Sequence, residues 1–378
     1  MNNPEEKIWL LGLLKVEGVG PVIARQLIAH CGSAEEVFRK PMGYLTNIEK
    51  IGNKKAEAIK RGVSLLEAEK EVRYCQDNGI QITAYYEKNY PEKLKAIYDA
   101  PLVLFQKGPL KLNSHPSIAI VGTRKPTPYG KEIAERFASF FANAGFNVVS
   151  GLAYGIDYAA HKTVLDNGGI TTACLGHGLN MIYPAAHTPL AKQIIEQGCL
   201  VSEYPSGTPP DMMHFPARNR IIAGLSTAVV IVEAAQKSGT LTTARIAFDQ
   251  NREVYAIPGR LTDPNYEGCN RLIRDQIAKL VTDPLEVIED ILPQIPGWNP
   301  DAKGSATERQ GTLFIPITEP LAPAEQRILN ALEHHNHQTI DQLIENSGLA
   351  VGQLLPHLST LEFYGYVRCN PGPIYSRI

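Results

Sequence analysis

Between residues 117 and 283 the chain alternates two periods. Short apolar runs recur at Ile118–Val121, Phe146–Val149, Thr171–Leu175, Leu200–Ser202, Ala228–Val232 and Val254–Ile257, and segments with apolar residues three and four apart lie between most of them. Runs without polar alternation belong to strands buried on both faces. Strands that alternate with helices build a mostly parallel, doubly wound α/β sheet.

The flanks read differently. Residues 5 to about 75 are helical, and two segments share a pattern, VEGVGPVIARQLI from Val16 and IEKIGNKKAEAI from Ile48. Each sets a glycine turn before a helix, as in a tandem helix-hairpin-helix. The first copy has Gly18 and Gly20; the second has Lys50 in place of the first glycine and keeps Gly52. Two readings fit: a module whose hairpin amides touch DNA backbone, or a helical packing module. Two strand-like runs, IQITAYY and PLVLFQKG, lie within residues 80–108 and bridge this part to the sheet. Residues 291–320 are rich in Pro, Gly and polar side chains without any period, which predicts a linker. Three amphipathic runs and two extended pieces around Pro371–Gly372 then predict a winged helix-turn-helix. Its third helix is poor in Lys and Arg, which counts against groove reading. The expected domains are therefore 1–75, 76–290 and 321–378, with the linker between the last two.

Composition narrows the classes. At 378 residues and 44% hydrophobic, the chain has material for two or three domains, and a net charge of −2 neither favours nor excludes nucleic acid. Cys31, Cys75, Cys174, Cys199, Cys269 and Cys369 form no C-x-x-C pair, so a zinc ribbon is not expected and a reduced, cytoplasmic setting is. The N-terminus, MNNPEEKIWLLGLL, lacks the pattern of a signal peptide, and no run is long enough to span a membrane.

Candidate chemistry gathers at the carboxyl ends of the predicted strands, where open α/β sheets bind ligands. After the first strand come Gly122, Thr123, Arg124 and Lys125, within a stretch from Ser117 to Lys131 that has three bases and no acid. After the second comes SGLAYG: Ser150, Gly151, Leu152, Ala153, Tyr154 and Gly155. Its glycines allow close backbone approach, which suits amides offered to an anion. Asp157 is read as the cap of the following helix, turned toward the helix amides. Arg218 and Arg220 flank Asn219 at the start of a further helix, and arginine forks suit phosphate. Ser238, Gly239 and Thr240 open another helix with hydroxyls and amides for a second anion contact. Glu233, just before, is either a catalytic acid or a buried partner of one arginine, and the second reading is preferred. Neither G-x-G-x-x-G after the first strand nor a Walker A lysine is present, which weakens NAD and ATP readings, and no cofactor or metal is expected. His161, His177, His187 and His214 stand in no metal spacing and read as structural.

AIVGTRKPTPYG, VSGLAYGIDYAAH, Tyr183–Pro184, SEYPSG, FPARNRIIAGLS, EAAQKSGTLTTA and VYAIPG occur in the order of the DprA (Smf) DNA-processing proteins, and YPEKLKAIYDAPLVLFQKG upstream is similar to that family too. The resemblance implies an extended Rossmann-like core that binds single-stranded DNA, with a SAM-like or helix-hairpin-helix domain before it and a winged helix after it. It implies a protein of natural transformation that protects incoming strands, loads the RecA recombinase, helps displace single-strand-binding protein, forms a homodimer and has no enzymatic activity. The family's phosphate-contacting positions fall on Arg124, the loop from Ser150, Arg218 and Arg220, and Ser238–Thr240. Tyr154 departs from the pattern, since that loop position is often basic in the family. A tyrosine there either stacks on a base or packs against a neighbouring loop or a dimer partner. The alternative function is a nucleotide-processing hydrolase of the lysine-decarboxylase-like phosphoribohydrolase type. That class carries PGG-x-GT-x-x-E, whereas KSGTLTTAR here has neither the glycine pair nor the glutamate.

Overall fold

The structure is a computed structural model, and it describes residues 4–62, 65–295, 322–334, 338–363, 366–370 and 374–377. The chain falls into two compact units, Met1–Lys303 and Gly304–Ile378.

The first unit opens with six helices, α1 (Pro4–Leu14), α2 (Pro21–Cys31), α3 (Ala34–Arg39), α4 (Met42–Thr46), α5 (Asn53–Arg61) and α6 (Leu66–Asp77). The two hairpins precede α2 and α5, as the repeated pattern predicts. Gly18 turns the first with φ 77°, and Lys50 takes the same left-handed conformation in the second with φ 65°. That conformation costs a side-chain-bearing residue about 1–2 kcal/mol. The Lys50 carbonyl accepts a hydrogen bond from Lys55 Nζ at 3.0 Å, which ties the strained turn to the helix it starts.

Next come β1 (Ile80–Ala84), the short α7 (Glu92–Lys95) and β2 (Val103–Lys107), then the alternating series β3 (Ser117–Val121), α8 (Pro128–Asn143), β4 (Asn147–Ser150), α9 (Ile156–Asp166), β5 (Ile170–Leu175), α10 (Thr188–Gln197), β6 (Cys199–Ser202), α11 (His214–Leu225), β7 (Ala228–Ile231), α12 (Gly239–Asp249), β8 (Glu253–Ala256), α13 (Glu267–Arg274), β9 (Lys279–Leu280) and α14 (Pro284–Ile291). The strands form one sheet in the order β1-β2-β6-β5-β4-β3-β7-β8-β9. β2 runs antiparallel to both β1 and β6, and the other pairings are parallel. Thus β1 and β2, expected as a bridge, are the edge of the sheet itself. β3, β4, β6 and β7 are buried along their whole length, as their unbroken apolar runs require.

One core cluster packs α8, α11, α12 and α14 on the sheet. A second runs without a break from Leu10, Leu27 and Ile59 in the helical part to Ile82, Phe105 and Leu190. Glu71 of α6 also accepts from the Ser206 amide at 2.8 Å and from the Ser206 hydroxyl, which binds the loop after β6 to the helices. The helical part and the β1–β2–β6–β5 end of the sheet therefore share one interior.

The expected linker starts inside described structure, because α14 ends at Ile291 and a helical turn covers Leu292–Gln294. Residues 296–320 lie outside the described residues. In the second unit α15 (Pro323–His334), β10 (Gln338–Thr339), α16 (Ile340–Ser347), α17 (Val351–Phe363), β11 (Val367–Asn370) and β12 (Ile374–Arg377) make a winged helix whose small sheet has the order β10-β12-β11. The two-residue β10 was not legible in the sequence; it is tied to β12 by only two residue pairs. Among the described residues no helix is long and apolar enough to cross a membrane.

Candidate nucleic-acid interface

The strand order reverses between β3 and β7, so the loops that follow them lie side by side at the carboxyl edge of the sheet. The loop after β3 is anchored at Thr123, whose amide donates to the Glu233 carbonyl at 2.8 Å and whose carbonyl accepts from the Ile156 amide at 3.1 Å. Gly122 packs directly on the Ile156 side chain. Gly155 has φ 78°, and a Cβ there would lie 2.4 Å from the Thr123 carbonyl oxygen, so only glycine lets the two loops interlock. Beyond this anchor Arg124 and Lys125 are exposed.

Arg124 sits on a short aromatic stair. Its guanidinium lies 5.8 Å from the centre of the Phe215 ring, and Phe215 stacks on Tyr183 at 5.7 Å with 29° between planes. Tyr183 is 51% exposed. The cation is therefore positioned by π-contact and not consumed by a carboxylate. Neither Phe215 nor Tyr183 is among the site residues expected from the sequence, which takes the arginines of FPARNR as the contacts. The available signal was the aromatic at the start of that same motif.

In the loop after β4, only part of what was expected faces outward. Tyr154 is half exposed and sets its ring edge-on against His187, 4.8 Å between centroids. Ser150 is fully buried and donates to the Ile120 carbonyl at 2.7 Å, so it ties β4 to β3 and does not face a ligand. Leu152 is fully buried with φ 58°, and its carbonyl accepts from His187 Nδ1. Asp157 does not cap its own helix. It turns back into the loop and accepts from the amides of Gly151 at 3.1 Å and Ala153 at 3.3 Å, so these two amides are not free for an anion. Burial raises the Asp157 carboxyl above the usual carboxylate range, against the opposing pull of Arg218 and the two amides.

The arginine pair divides. Residues two apart on a helix face opposite ways. Arg218 points inward, 5% exposed, and donates from Nη1 to the carbonyls of Gly151 and Cys174 and from Nε to Asn219 Oδ1. A Cβ on Gly151 would meet this guanidinium at 2.6 Å. Arg220 points away from Arg218 into a bidentate pair with Glu203, both N···O distances 2.7 Å, and a third contact with Asp99 at 3.1 Å. Neither fork is offered to a phosphate in this arrangement, contrary to the sequence expectation. Glu233 is not their partner. It is buried and receives the Thr127 amide and hydroxyl at the start of α8. After β7, Ser238 caps α12 by accepting from the Thr240 amide at 3.2 Å; Gly239 is exposed and Thr240 is buried.

The histidines are tied into the interior. Thr171 Oγ1 donates to the Val148 carbonyl at 2.6 Å, so it accepts from His161 Nδ1 at 2.7 Å, which leaves Nε2 a bare, buried acceptor. Burial lowers the His161 pKa to about 3. The unfolded chain binds this proton near pH 6.5, so the contribution of His161 to stability is complete above that value and is lost as pH falls toward 3. We expect unfolding free energy to decline on this limb by about 1.4 kcal/mol per pH unit for the one proton. His161→Gln should flatten the limb in chemical denaturation measured against pH; an unchanged limb would place the titration elsewhere. Among the described residues no cluster of His, Cys, Asp or Glu has the makings of a metal site.

Comparison with known proteins agrees with this fold. A family model described as DNA recombination-mediator protein A matches residues 81–292, a DprA winged helix domain matches 316–373, and a SAM-like helix-hairpin-helix tandem matches 10–64. Protein Smf of Synechocystis is 34% identical over all of both chains, and Protein Smf of Escherichia coli is 40% identical over 75% of this chain and 74% of its own. The crystal structure of DNA processing protein A from Streptococcus pneumoniae superposes with a TM-score of 0.65 at 33% identity, covering 75% of this chain and 97% of that one. A Helicobacter pylori structure, described as showing the single-stranded DNA binding mode of DNA processing protein A, covers 57% of this chain and 97% of its own with a TM-score of 0.51 at 31% identity.

Proposed function

Because the chain belongs to the DprA/Smf family of DNA-processing proteins, we propose that it binds single-stranded DNA along the carboxyl edge of its sheet. The observation that supports this most is Arg124, an exposed cation seated on the Phe215–Tyr183 stack, in a crevice whose other arginines are already engaged. A guanidinium beside half-exposed rings suits a strand with splayed bases, because phosphates meet the cation and bases meet the rings. Lys125 adds charge beside it, and Tyr154, Gly239 and the capped start of α12 flank the path. The described winged helix is not required for this contact.

Within that reading the protein guards incoming single strands in the cytoplasm, delivers them to RecA against single-strand-binding protein during natural transformation, and works as a homodimer. The crevice holds and does not cut. The hydrolase alternative draws no support from Glu233, the acid nearest the loop after β7, since Thr127 occupies its carboxylate.

Gel-shift of single-stranded against duplex DNA across a salt series tests the reading. Affinity should favour the single strand and fall with salt by about 0.7 log units per log salt for each phosphate contact. Equal affinity for duplex, or no salt dependence, would overturn it. In the same assay Tyr154→Ala should weaken binding by roughly 1–3 kcal/mol, about 5- to 150-fold, with an unchanged salt slope, because a stacked ring is lost and no phosphate contact. A fall in melting temperature that parallels the lost affinity would instead assign Tyr154 to packing on His187.

A further inference from the structure

A second concavity opens on the other side of the β3–β7 switch, between the loops after β3 and β8. Its volume is about 900 Å³, at the upper end of what takes a small ligand. Tyr266, 2% exposed, forms the floor, and Tyr129, 52% exposed, stands over it with ring centroids 6.1 Å apart and planes 52° apart. The floor is rigid. Asn270 holds Gly259 from both sides, accepting from its amide at 3.1 Å and donating to its carbonyl at 3.0 Å, and a Cβ on Gly259 would lie 2.1 Å from the Tyr266 ring. At the rim Arg260 is exposed and pairs with no acid among the described residues. Asp263 uses one carboxylate oxygen on the Asn265 amide, which leaves the other for a hydrogen donor.

The anion seat of such a crevice is the N-terminus of the helix after the first strand. Here the buried Glu233 carboxylate already occupies it, bound to the Thr127 amide. A phosphate is excluded from that seat by charge and is left with Arg260 at the rim. The pocket thus offers an exposed ring for a flat group, an acceptor for its polar edge, and one cation outside. A neighbouring hollow near Leu261 offers less, because its Arg271 and Arg274 are both paired with Asp275.

We propose that this pocket binds one nucleotide, with the base against Tyr129, its polar edge at Asp263 and its phosphate at Arg260. The nucleotide is either free or one unit of a strand lying on Arg124, five residues before Tyr129 in the chain. The strand source rests on the function proposed above; the free source does not.

Calorimetric titration of the full chain with thymidine monophosphate, and with oligothymidylates of increasing length, separates the two sources. If the nucleotide is free, the monophosphate binds saturably, Tyr129→Ala and Arg260→Glu each abolish that binding, and Tyr129→Phe and Arg124→Glu keep it. If it belongs to a strand, the monophosphate gives no heat. Tyr129→Ala and Arg260→Glu then weaken long oligomers fivefold or more and leave the shortest binding oligomer at wild-type affinity. Wild-type behaviour of both variants with every probe overturns the pocket. So does an equal loss at all lengths, which would make Tyr129 part of the Arg124 contact. If Arg124→Glu binds strands normally, the crevice reading fails while the monophosphate titration still decides the pocket.

Discussion

Arg124→Glu is expected to cut affinity for single-stranded DNA on the order of 100-fold at low salt while leaving the melting temperature within about 2 °C of wild type. A hydrogen bond to a charged group is worth about 1.5–3 kcal/mol, and the glutamate adds repulsion from the phosphate it replaces attraction for. The salt slope should flatten by about 0.7 with one contact gone. Stability should hold because the side chain is exposed, touches the Phe215 ring and bonds no carboxylate, and substitutions at such places stay within about 0.5 kcal/mol. Arg124→Lys should fall between, since a lysine keeps the charge but not the flat face that rests on Phe215. Normal binding by the glutamate variant would remove Arg124 from the interface.

Arg218→Ala should have a large effect of the opposite kind, a loss of stability. Each buried group left without its hydrogen-bond partner costs about 1–3 kcal/mol, and two such groups amount to on the order of 10 °C for a domain of this size. The Gly151 and Cys174 carbonyls would lose their donor, and Asp157 would stay buried without the positive charge that opposes the rise of its pKa. The pH dependence has a definite sign. Asp157 already has a raised carboxyl pKa, and loss of Arg218 raises it further. A raised group stabilises the fold while protonated and ceases to as pH climbs through its folded pKa. The defect should therefore be greatest toward neutral pH and shrink in acid, and Asp157→Asn in the same chain should recover part of it. Melting curves of the single and double variants against pH check this. Unchanged melting with lost DNA affinity would instead return Arg218 to the phosphate contact.

These two arginines show how far one sequence carries. Both stand in motifs suited to anions, and nothing local separates them. Arg124 stays outside because it lies in a loop of two exposed bases anchored behind by Thr123. Arg218 goes inside because α11 aims that face at the ends of β4 and β5, where the Gly151 and Cys174 carbonyls accept its hydrogen bonds. The partners of Arg220 were equally hidden. Asp99 and Glu203 stand 121 and 17 residues away in sequence, and only the antiparallel seat of β2 beside β6 brings them together. The Asp157 carboxylate looked like a helix cap by its spacing, but the turn at Leu152 and Gly155 folds the loop amides over it, so they take the bond first.

What the sequence determined by itself is whatever depends on neighbours along the chain. The buried strands follow from uninterrupted apolar runs, the helices from spacings of three and four, the first hairpin turn from Gly18, and the crevice from the rule that strand ends and helix starts meet at one edge. The sequence also placed the exposed cation in that edge. Tertiary structure alone decided which polar groups remain free there. A hydrogen bond or ion pair takes whichever partner lies within about 3 Å, and that partner is chosen by strand order and helix rotation. Ser150, Asp157, Arg218, Arg220 and Glu233 all found theirs inside the protein. Arg124 and Arg260 found no acid among the described residues, and so each is left, in its own concavity, to meet something else.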